Sequence, residues 1–225
     1  KSVKAIISEG TKIDSTGKIT VNGTALSDTD GSVGLASMNG GKLTQTNASS
    51  SITVGGSASI GLYADGKVDP EPPAAPLTSA TATTLKVTGG TVTAKDGAFN
   101  TYAANSGTIT LDGVTLNTEP KSLAFYTTDG GKIDFGTGSM NTANIKGGTD
   151  ANSRGTAFLY KGAGTTYVPF NSSTISTWTA ANFANLNNLT LNMEQGSRLF
   201  IAQNVEIDLS GTAASGITLP SVTFR

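Results

Sequence analysis

The chain of 225 residues contains no cysteine and no histidine. Without cysteine there is no disulfide framework, no thiolate nucleophile and no cysteine-type zinc cluster. Without histidine there is no Ser-His-Asp or Cys-His catalytic arrangement and no imidazole ligand for a metal. Any enzymatic activity would therefore depend on carboxylates, lysine, arginine or tyrosine, and we expect neither a metal site nor a cofactor.

Charge is also scarce, since 15 basic residues oppose 16 acidic ones and charged residues make up 14% of the chain. The arginines number only three, Arg154, Arg198 and Arg225. They cannot form a basic stripe along a phosphate backbone, so we expect no nucleic-acid partner. No stretch approaches the roughly 18 apolar residues of a membrane-spanning helix. The first ten residues lack the apolar core and the cleavage site of a signal peptide.

Glycine is abundant, at 28 residues, and apolar residues recur mostly at every second position. Examples are KITVNG (18–23), TITLDGVTLNT (108–118) and NLTLNM (188–193). A period of two with β-branched residues predicts short strands, and the Asp-Gly and Gly-Gly pairs between them predict tight turns. Helical periodicity is nearly absent, and residues 177–186 fit either a short helix or a loop.

A short apolar and aromatic burst, followed by a glycine turn and a strand, recurs along the chain. The interval between the first two copies of this burst runs from Leu35 to Leu62. When the later copies are aligned on tyrosine, they lie at Tyr63, Tyr102, Tyr126 and Tyr160. Of the three intervals between consecutive tyrosines, the one from Tyr102 to Tyr126 is the shortest. The two longer intervals contain a proline-rich stretch at 69–80 and a polar stretch at 147–155, and without these the period is about 24 to 27 residues.

A repeat of this length cannot enclose a core alone, but stacked coils share one. We therefore predict an all-β fold, a single parallel β-helix domain over residues 1–225 with about eight or nine coils. Loop insertions are expected at about 69–80, 147–155 and 165–188. A β-sandwich or jelly roll would also explain the strands, but it gives no reason for a repeated tyrosine segment.

The units GLYADGK (61–67) and FYTTDGGKI (125–133) resemble repeats in the passenger domains of type V autotransporter adhesins of Gram-negative bacteria. The run LNNLTLNMEQGSRLFIAQNVEIDLS (186–210) is similar to those of fusobacterial outer-membrane autotransporters. This resemblance spans about residues 32–210. It implies a right-handed β-helix, exported through the outer membrane by a C-terminal β-barrel that lies outside this sequence, and displayed on the cell surface. The chain is accordingly expected to be a fragment of a longer passenger.

The resemblance implies a non-enzymatic adhesin that binds host-cell proteins or glycans, or other bacteria in coaggregation. Two alternatives stay open: a carbohydrate-active β-helix enzyme with paired aspartates, and a toxin-type passenger. Aspartate before glycine is first of all a turn residue, and the glycine-rich nonapeptide signature of calcium-binding β-helices is missing. We expect the fragment itself to be monomeric.

Insertions are the expected places for binding, because packing fixes the coils of a solenoid. In them we single out Arg154, Tyr167, Phe170 and Trp178 as candidate partner-binding residues, although a capping role would also explain the aromatic ones. The repeated aromatic residues are expected to pack as an interior or lateral stack rather than to bind sugars. Alternation predicts that Phe125 and Tyr126 point to opposite faces of their strand.

Overall fold

A computed structural model describes residues 3–27, 29–67, 82–150, 152–169, 182–208 and 221–224. The described residues form three parallel sheets whose strands follow one another around a common axis, as predicted for a β-helix. The coils wind in the right-handed sense that parallel crossover connections adopt. Equivalent strands of successive coils lie side by side along the axis, because backbone hydrogen bonds join each coil to its neighbours.

Six coils have three strands and a seventh has two within the described ranges. In chain order the strands are β1 (Lys4–Glu9), β2 (Lys12–Ser15), β3 (Thr20–Thr24); β4 (Val33–Met38), β5 (Lys42–Gln45), β6 (Ser51–Gly55); β7 (Ile60–Asp65), β8 (Thr84–Thr88), β9 (Thr91–Lys95); β10 (Phe99–Ala104), β11 (Thr108–Asp112), β12 (Thr115–Thr118); β13 (Leu123–Thr127), β14 (Lys132–Asp134), β15 (Asn141–Ile145); β16 (Thr156–Pro169), β17 (Phe183–Ala184), β18 (Leu189–Met193); β19 (Arg198–Asp208) and β20 (Ser221–Phe224). A 3-10 turn, Leu186–Asn188, precedes β18.

Sheet A contains the first strand of every coil, from β1 to β19. Sheet B contains the second strands, from β2 to β17, and sheet C the third, from β3 to β20. The described strands belong to seven coils, where eight or nine were expected. The expected period of about 24 to 27 residues is exceeded in several coils, and the longest described coil begins at Thr156 and returns to sheet A only at Arg198.

The strand register confirms most of the sequence repeat. Leu35 pairs with Leu62, and Tyr102 pairs with both Tyr63 and Tyr126. The expected partnership of Tyr126 with Tyr160 is wrong by one residue, because Tyr126 pairs with Leu159. The inward-facing phenylalanines set this register, since Phe125 stacks on Phe158 with ring centroids 5.1 Å apart.

One row of apolar side chains from each sheet fills the interior. Leu35 and Leu62 of sheet A are fully buried. The sheet B row contains Leu43, Leu85, Ile109, Ile133 and Phe183, and the sheet C row Val21, Ile52, Val92, Leu116, Ala143 and Leu191. Because each residue packs on its registered neighbours above and below, the core is continuous along the axis.

The corners bring the backbones of successive coils close together. The Asp-Gly pairs behave as turns, with a φ of 55° at Asp96 and 49° at Asp129. At the corner between sheets A and B, a Cβ on Gly131 would clash with the carbonyl oxygen of Ala103 in the preceding coil. Only glycine fits there, so this residue type permits the close spacing of the coils.

Asn141, fully buried at the corner between sheets B and C, joins three coils. Its Oδ1 accepts a hydrogen bond of 3.0 Å from the N–H of Val114 in the preceding coil. Its Nδ2 donates to the carbonyl oxygen of Phe135 in its own coil at 2.7 Å and to that of Asn188 in the next coil at 3.2 Å. The side-chain amide thereby satisfies backbone groups that the turn leaves out of the strand ladder.

Candidate binding surface

The outer face of sheet A has a row of three tyrosines, Tyr63, Tyr102 and Tyr126, which we call the tyrosine row. They pair in register in β7, β10 and β13, and each is half-buried. Phe125, next to Tyr126, is fully buried. The prediction that these two neighbours point to opposite faces is therefore confirmed.

The rings of the tyrosine row pack on one another along the axis. Tyr102 and Tyr126 are stacked, with centroids 4.5 Å apart and planes 19° from parallel. Tyr63 lies 5.4 Å from Tyr102, tilted by 42°. Nearly parallel rings this close overlap face to face, so the covered faces are not open to a flat sugar ring. The row is a lateral stack, as expected from the sequence, and presents ring edges and hydroxyl groups to solvent.

A polar cluster lies where β7 and β10 end, beside the tyrosine row. The hydroxyl of Tyr63 donates a 2.6 Å hydrogen bond to Asp65, and Nδ2 of Asn105 donates one of 2.7 Å to the same carboxylate. The backbone N–H of Lys67 donates a third, of 2.9 Å. Burial alone would raise the pKa of Asp65, but these three hydrogen bonds together hold it below its ordinary value. Asp65 is consequently ionised at neutral pH.

The tyrosines stay protonated for a related reason. Burial, followed by electrostatic interaction with Tyr126 and with the negatively charged Asp65 and Asp129, raises the pKa of Tyr102 to about 12. Burial and the hydrogen bond to Asp65 raise the pKa of Tyr63. The row therefore offers neutral hydroxyl groups next to carboxylates, a combination suited to hydrogen bonding with a polar ligand.

A cleft of about 370 Å³ opens at the corner between sheets C and A, which we call the corner cleft. Its lining consists of Pro120, Gly147, Gly148, Thr149, Ser153, Glu194 and Gln195. Part of the predicted insertion at 147–155 thus forms one wall. The cleft lies where strands of sheet A begin, and the Asp65 cluster lies where they end, so the tyrosine row runs between the two.

Glu194 anchors the corner cleft through an ion pair with Lys146. The Nζ to Oε1 distance is 2.6 Å, and both side chains are 44% exposed. The hydrogen bond to Glu194 raises the pKa of Lys146. Exposure of this kind leaves the pair little stabilising value, yet it places a carboxylate on the wall of the cleft.

The insertion itself is a compact polar loop. The N–H groups of Asn152 and Ser153 donate to Asp150 at 2.8 and 3.0 Å and lower its pKa. Arg154 follows Ser153 directly and is exposed. The loop therefore presents a cation to solvent next in the chain to Ser153, which lines the corner cleft.

Of the four sequence-predicted binding residues, the structure describes Arg154 and the backbone of Tyr167. Arg154 follows Ser153 of the corner cleft in the chain, whereas Tyr167 lies within β16, where its backbone pairs with Glu206. Phe170 and Trp178 lie outside the described residues, as does the whole insertion expected at 69–80. Of the segment 165–188, residues up to Pro169 belong to β16, and Phe183 is buried in the core.

Sequence reasoning missed Asn105, Glu194 and the corner cleft. Asn105 directly follows β10 and has a φ of 48°. Its position in the turn between sheets A and B was the feature of the sequence that could have identified it. Lys146 and Glu194 are 48 residues apart in the chain, and no local pattern connects them. Only the register of the coils makes them neighbours.

Within the described part of the chain, no group of three histidine, cysteine, aspartate or glutamate residues is arranged to hold a metal ion. No helix there has the length and apolar character needed to span a bilayer. No protein family, curated protein or solved structure matches the chain.

Proposed function

We propose that the chain is a non-enzymatic adhesion module from the surface-exposed passenger of a type V autotransporter, attaching a Gram-negative bacterium to host cells or other bacteria. The β-helix serves as the stalk, and its partner is a surface protein or glycan. The resemblance of 61–67, 125–133 and 186–210 to such passengers supports the biological setting. The surface of sheet A supports the binding role.

The observation that carries the proposal is the concentration of polar recognition groups on one face. Phenolic hydroxyl groups of the tyrosine row, the ionised Asp65 and the corner cleft occupy neighbouring positions in the third to sixth coils. Partner-binding surfaces are enriched in tyrosine and arginine. We infer that the ligand lies across this face, with Arg154 at its edge.

Two other carboxylates, Asp134 and Asp150, have local structural roles that favour binding over hydrolysis. Asp134 accepts from the N–H of Gly136 within its own turn, and Asp150 accepts from Ser153 within the insertion. A glycosidase needs two carboxylates facing one bond at a set separation. These two instead order separate turns, one between sheets B and C and one between sheets C and A.

Binding of the purified chain to a glycan array, epithelial cells and bacterial cells tests the proposal. Tyr102→Phe and Tyr126→Phe remove hydroxyl groups while keeping the ring stack, and Arg154→Glu reverses the exposed charge. We expect each change to weaken binding at least severalfold while leaving the circular dichroism spectrum unchanged. Thr110→Ala, on the outer face of sheet B, is the matched control and is expected to bind normally.

Two results would contradict the proposal. If the sheet A variants bind as well as the Thr110→Ala control, the partner contacts another surface. If incubation with polysaccharides releases new reducing ends, and loss of single aspartates abolishes that release, the chain is a carbohydrate-active enzyme.

A further inference from the structure

The tyrosine row holds two phenol rings of neighbouring coils at a distance close to that of a covalent link. Tyr102 of β10 and Tyr126 of β13 pair in register, and their ring centroids lie 4.5 Å apart. Strands of a sheet repeat about every 4.8 Å, so registered rings on one face stay near this separation. The centroids of two directly bonded phenol rings are separated by a similar distance. The two rings can therefore be joined by rotation about their side-chain bonds, without movement of the strands.

The side chain of Phe99 holds this pair of rings together. Its ring centroid lies 5.8 Å from that of Tyr126, with the planes 26° from parallel, and 6.3 Å from that of Tyr102. Aromatic contacts of this kind favour the adjacency of the two phenols. Both tyrosines are nevertheless only half-buried. The pair is therefore close together and also accessible to a reagent in solution.

Tyr63, the third member of the tyrosine row, is placed less favourably for such a link. Its ring centroid lies 5.4 Å from that of Tyr102, and the two planes are tilted by 42°. Its hydroxyl group is also fixed by the 2.6 Å hydrogen bond to Asp65. Rotation of the Tyr63 ring toward Tyr102 would break this hydrogen bond to an ionised acceptor, which is one of the stronger kinds. The geometry therefore favours one pair of tyrosines over the other.

We propose that Tyr102 and Tyr126 form an oxidative cross-linking site, at which a peroxide acting through a haem peroxidase joins the two rings as dityrosine. The oxidant removes the hydroxyl hydrogen atom of each phenol and leaves two phenoxyl radicals, whose unpaired electrons are shared with the Cε carbons next to the oxygen. One Cε of each ring forms the new carbon–carbon bond, and the hydrogen that each of these carbons carried moves to its oxygen, which restores both phenols. One peroxide is thereby reduced to two molecules of water. The product ties the fourth coil to the fifth, and this inference does not depend on the proposed function.

The composition and the geometry of the chain both favour coupling within one molecule. The chain has no cysteine, whose thiol would react with a phenoxyl radical before the rings could join. Two groups held next to each other on one scaffold react as if they were highly concentrated, because their effective molarity far exceeds the concentration of the protein in solution. The yield of the cross-link per molecule is therefore expected to be independent of protein concentration.

Treatment of the purified chain with a haem peroxidase and hydrogen peroxide, followed by trypsin digestion and mass spectrometry, tests the proposal. Trypsin cleaves after lysine and arginine, so the three members of the tyrosine row fall in three different peptides, 43–67, 96–121 and 122–132. We expect 96–121 to be joined to 122–132, with a mass lower than the sum of the two peptides by two hydrogen atoms. Missed cleavage at Lys121 would instead lower that sum by one molecule of water, so the two products are distinguishable. Before digestion, the oxidised protein is expected to keep the size of a single chain in denaturing electrophoresis.

Phenylalanine variants locate the link through the fluorescence of dityrosine, which separate tyrosines lack. Phenylalanine keeps the ring in the stack but has no hydroxyl hydrogen to lose. Tyr102→Phe and Tyr126→Phe are each expected to lower the dityrosine fluorescence at least severalfold. Tyr63→Phe is the matched control, because it removes a phenol from the same row, and it is expected to retain most of the signal. Circular dichroism establishes that each variant is folded.

Three results would overturn the proposal. The first is an oxidised wild-type chain in which peptides 96–121 and 122–132 are not joined, and this result is independent of how the variants fold. The second is a loss of fluorescence in Tyr63→Phe as large as that in Tyr126→Phe, which would place the link elsewhere in the row. The third is a joined pair of peptides found only in covalent dimers, which would show that the rings couple between molecules.

Discussion

Replacing Asn141 by alanine is expected to destabilise the protein far more than its size suggests. The residue is fully buried and connects the fourth, fifth and sixth coils at one corner. Alanine would leave the N–H of Val114 without its acceptor, and Val114 is itself fully buried. Water cannot replace the lost amide unless the corner opens.

The magnitude follows from the hydrogen bonds that disappear. An orphaned buried N–H costs about 1 to 3 kcal/mol, and each amide N–H donated to a carbonyl contributes about 1 kcal/mol. With one acceptor and two donor hydrogens lost, the free energy of unfolding should fall by about 4 kcal/mol. For a chain of this size that corresponds to a decrease of roughly 10 °C in the unfolding temperature.

Asn144→Ala provides the matched control, since Asn144 lies in the same strand, β15. It is half-buried on the outer face of sheet C, donates to Asn117 and accepts from Asn192. Solvent can replace those partners, so its loss should cost no more than about 1 kcal/mol. Urea unfolding followed by circular dichroism measures both variants, and equal destabilisation of the two would refute the reasoning.

Three further predictions concern the corners, the tyrosines and the core. Gly131→Ala should lower the free energy of unfolding by about 2 kcal/mol or more, because the added carbon would clash with the preceding coil. Gly17→Ala, with nothing within 4 Å of the added carbon, should change it by less than about 0.5 kcal/mol. Equal urea midpoints of the two variants would contradict this. The raised pKa of Tyr102 means that its contribution to stability is complete below its unfolded value near 10 and is lost as pH rises toward 12. Ultraviolet titration should therefore show late phenolate transitions, of which Tyr102→Phe removes one, while those of Tyr63 and Tyr126, whose pKa values are also raised, remain. An unchanged titration would count against this assignment. Ile109→Asp places an unpaired carboxylate in the continuous core and should cost more than about 4 kcal/mol; an unaltered thermal transition would show that the neighbouring coils do not share that core.

Much of the architecture was predictable because stacking forces equivalent residues into register. Leu35 above Leu62, and Tyr63 above Tyr102 and Tyr126, follow from spacing alone. The error at Tyr160 arose because the similar bursts FY and LY were aligned on tyrosine, while the interior selects phenylalanine. The inner row, rather than the outer one, sets the register.

The binding surface was less predictable, because corners of different length bring distant residues together. Nothing in the sequence around Glu194 indicates Lys146, and the cleft beside them exists only after the coils are aligned. The inward orientation of Asn141 could be predicted from the sequence, because Asn141 alternates in phase with the apolar Ala143 and Ile145. Asn144 lies out of step with them and faces solvent.

The hydrogen bonds between coils run parallel to the long axis, and this direction has a mechanical consequence. A force pulling the two ends apart would load these bonds in tension, one coil boundary at a time. Each boundary that yields would release one coil, the shortest from Phe99 to Leu123 and the longest described from Thr156 to Arg198. At about 3.4 Å per extended residue, the steps would be roughly 8 to 14 nm. A tether of this construction would lengthen stepwise under load and dissipate energy at every step.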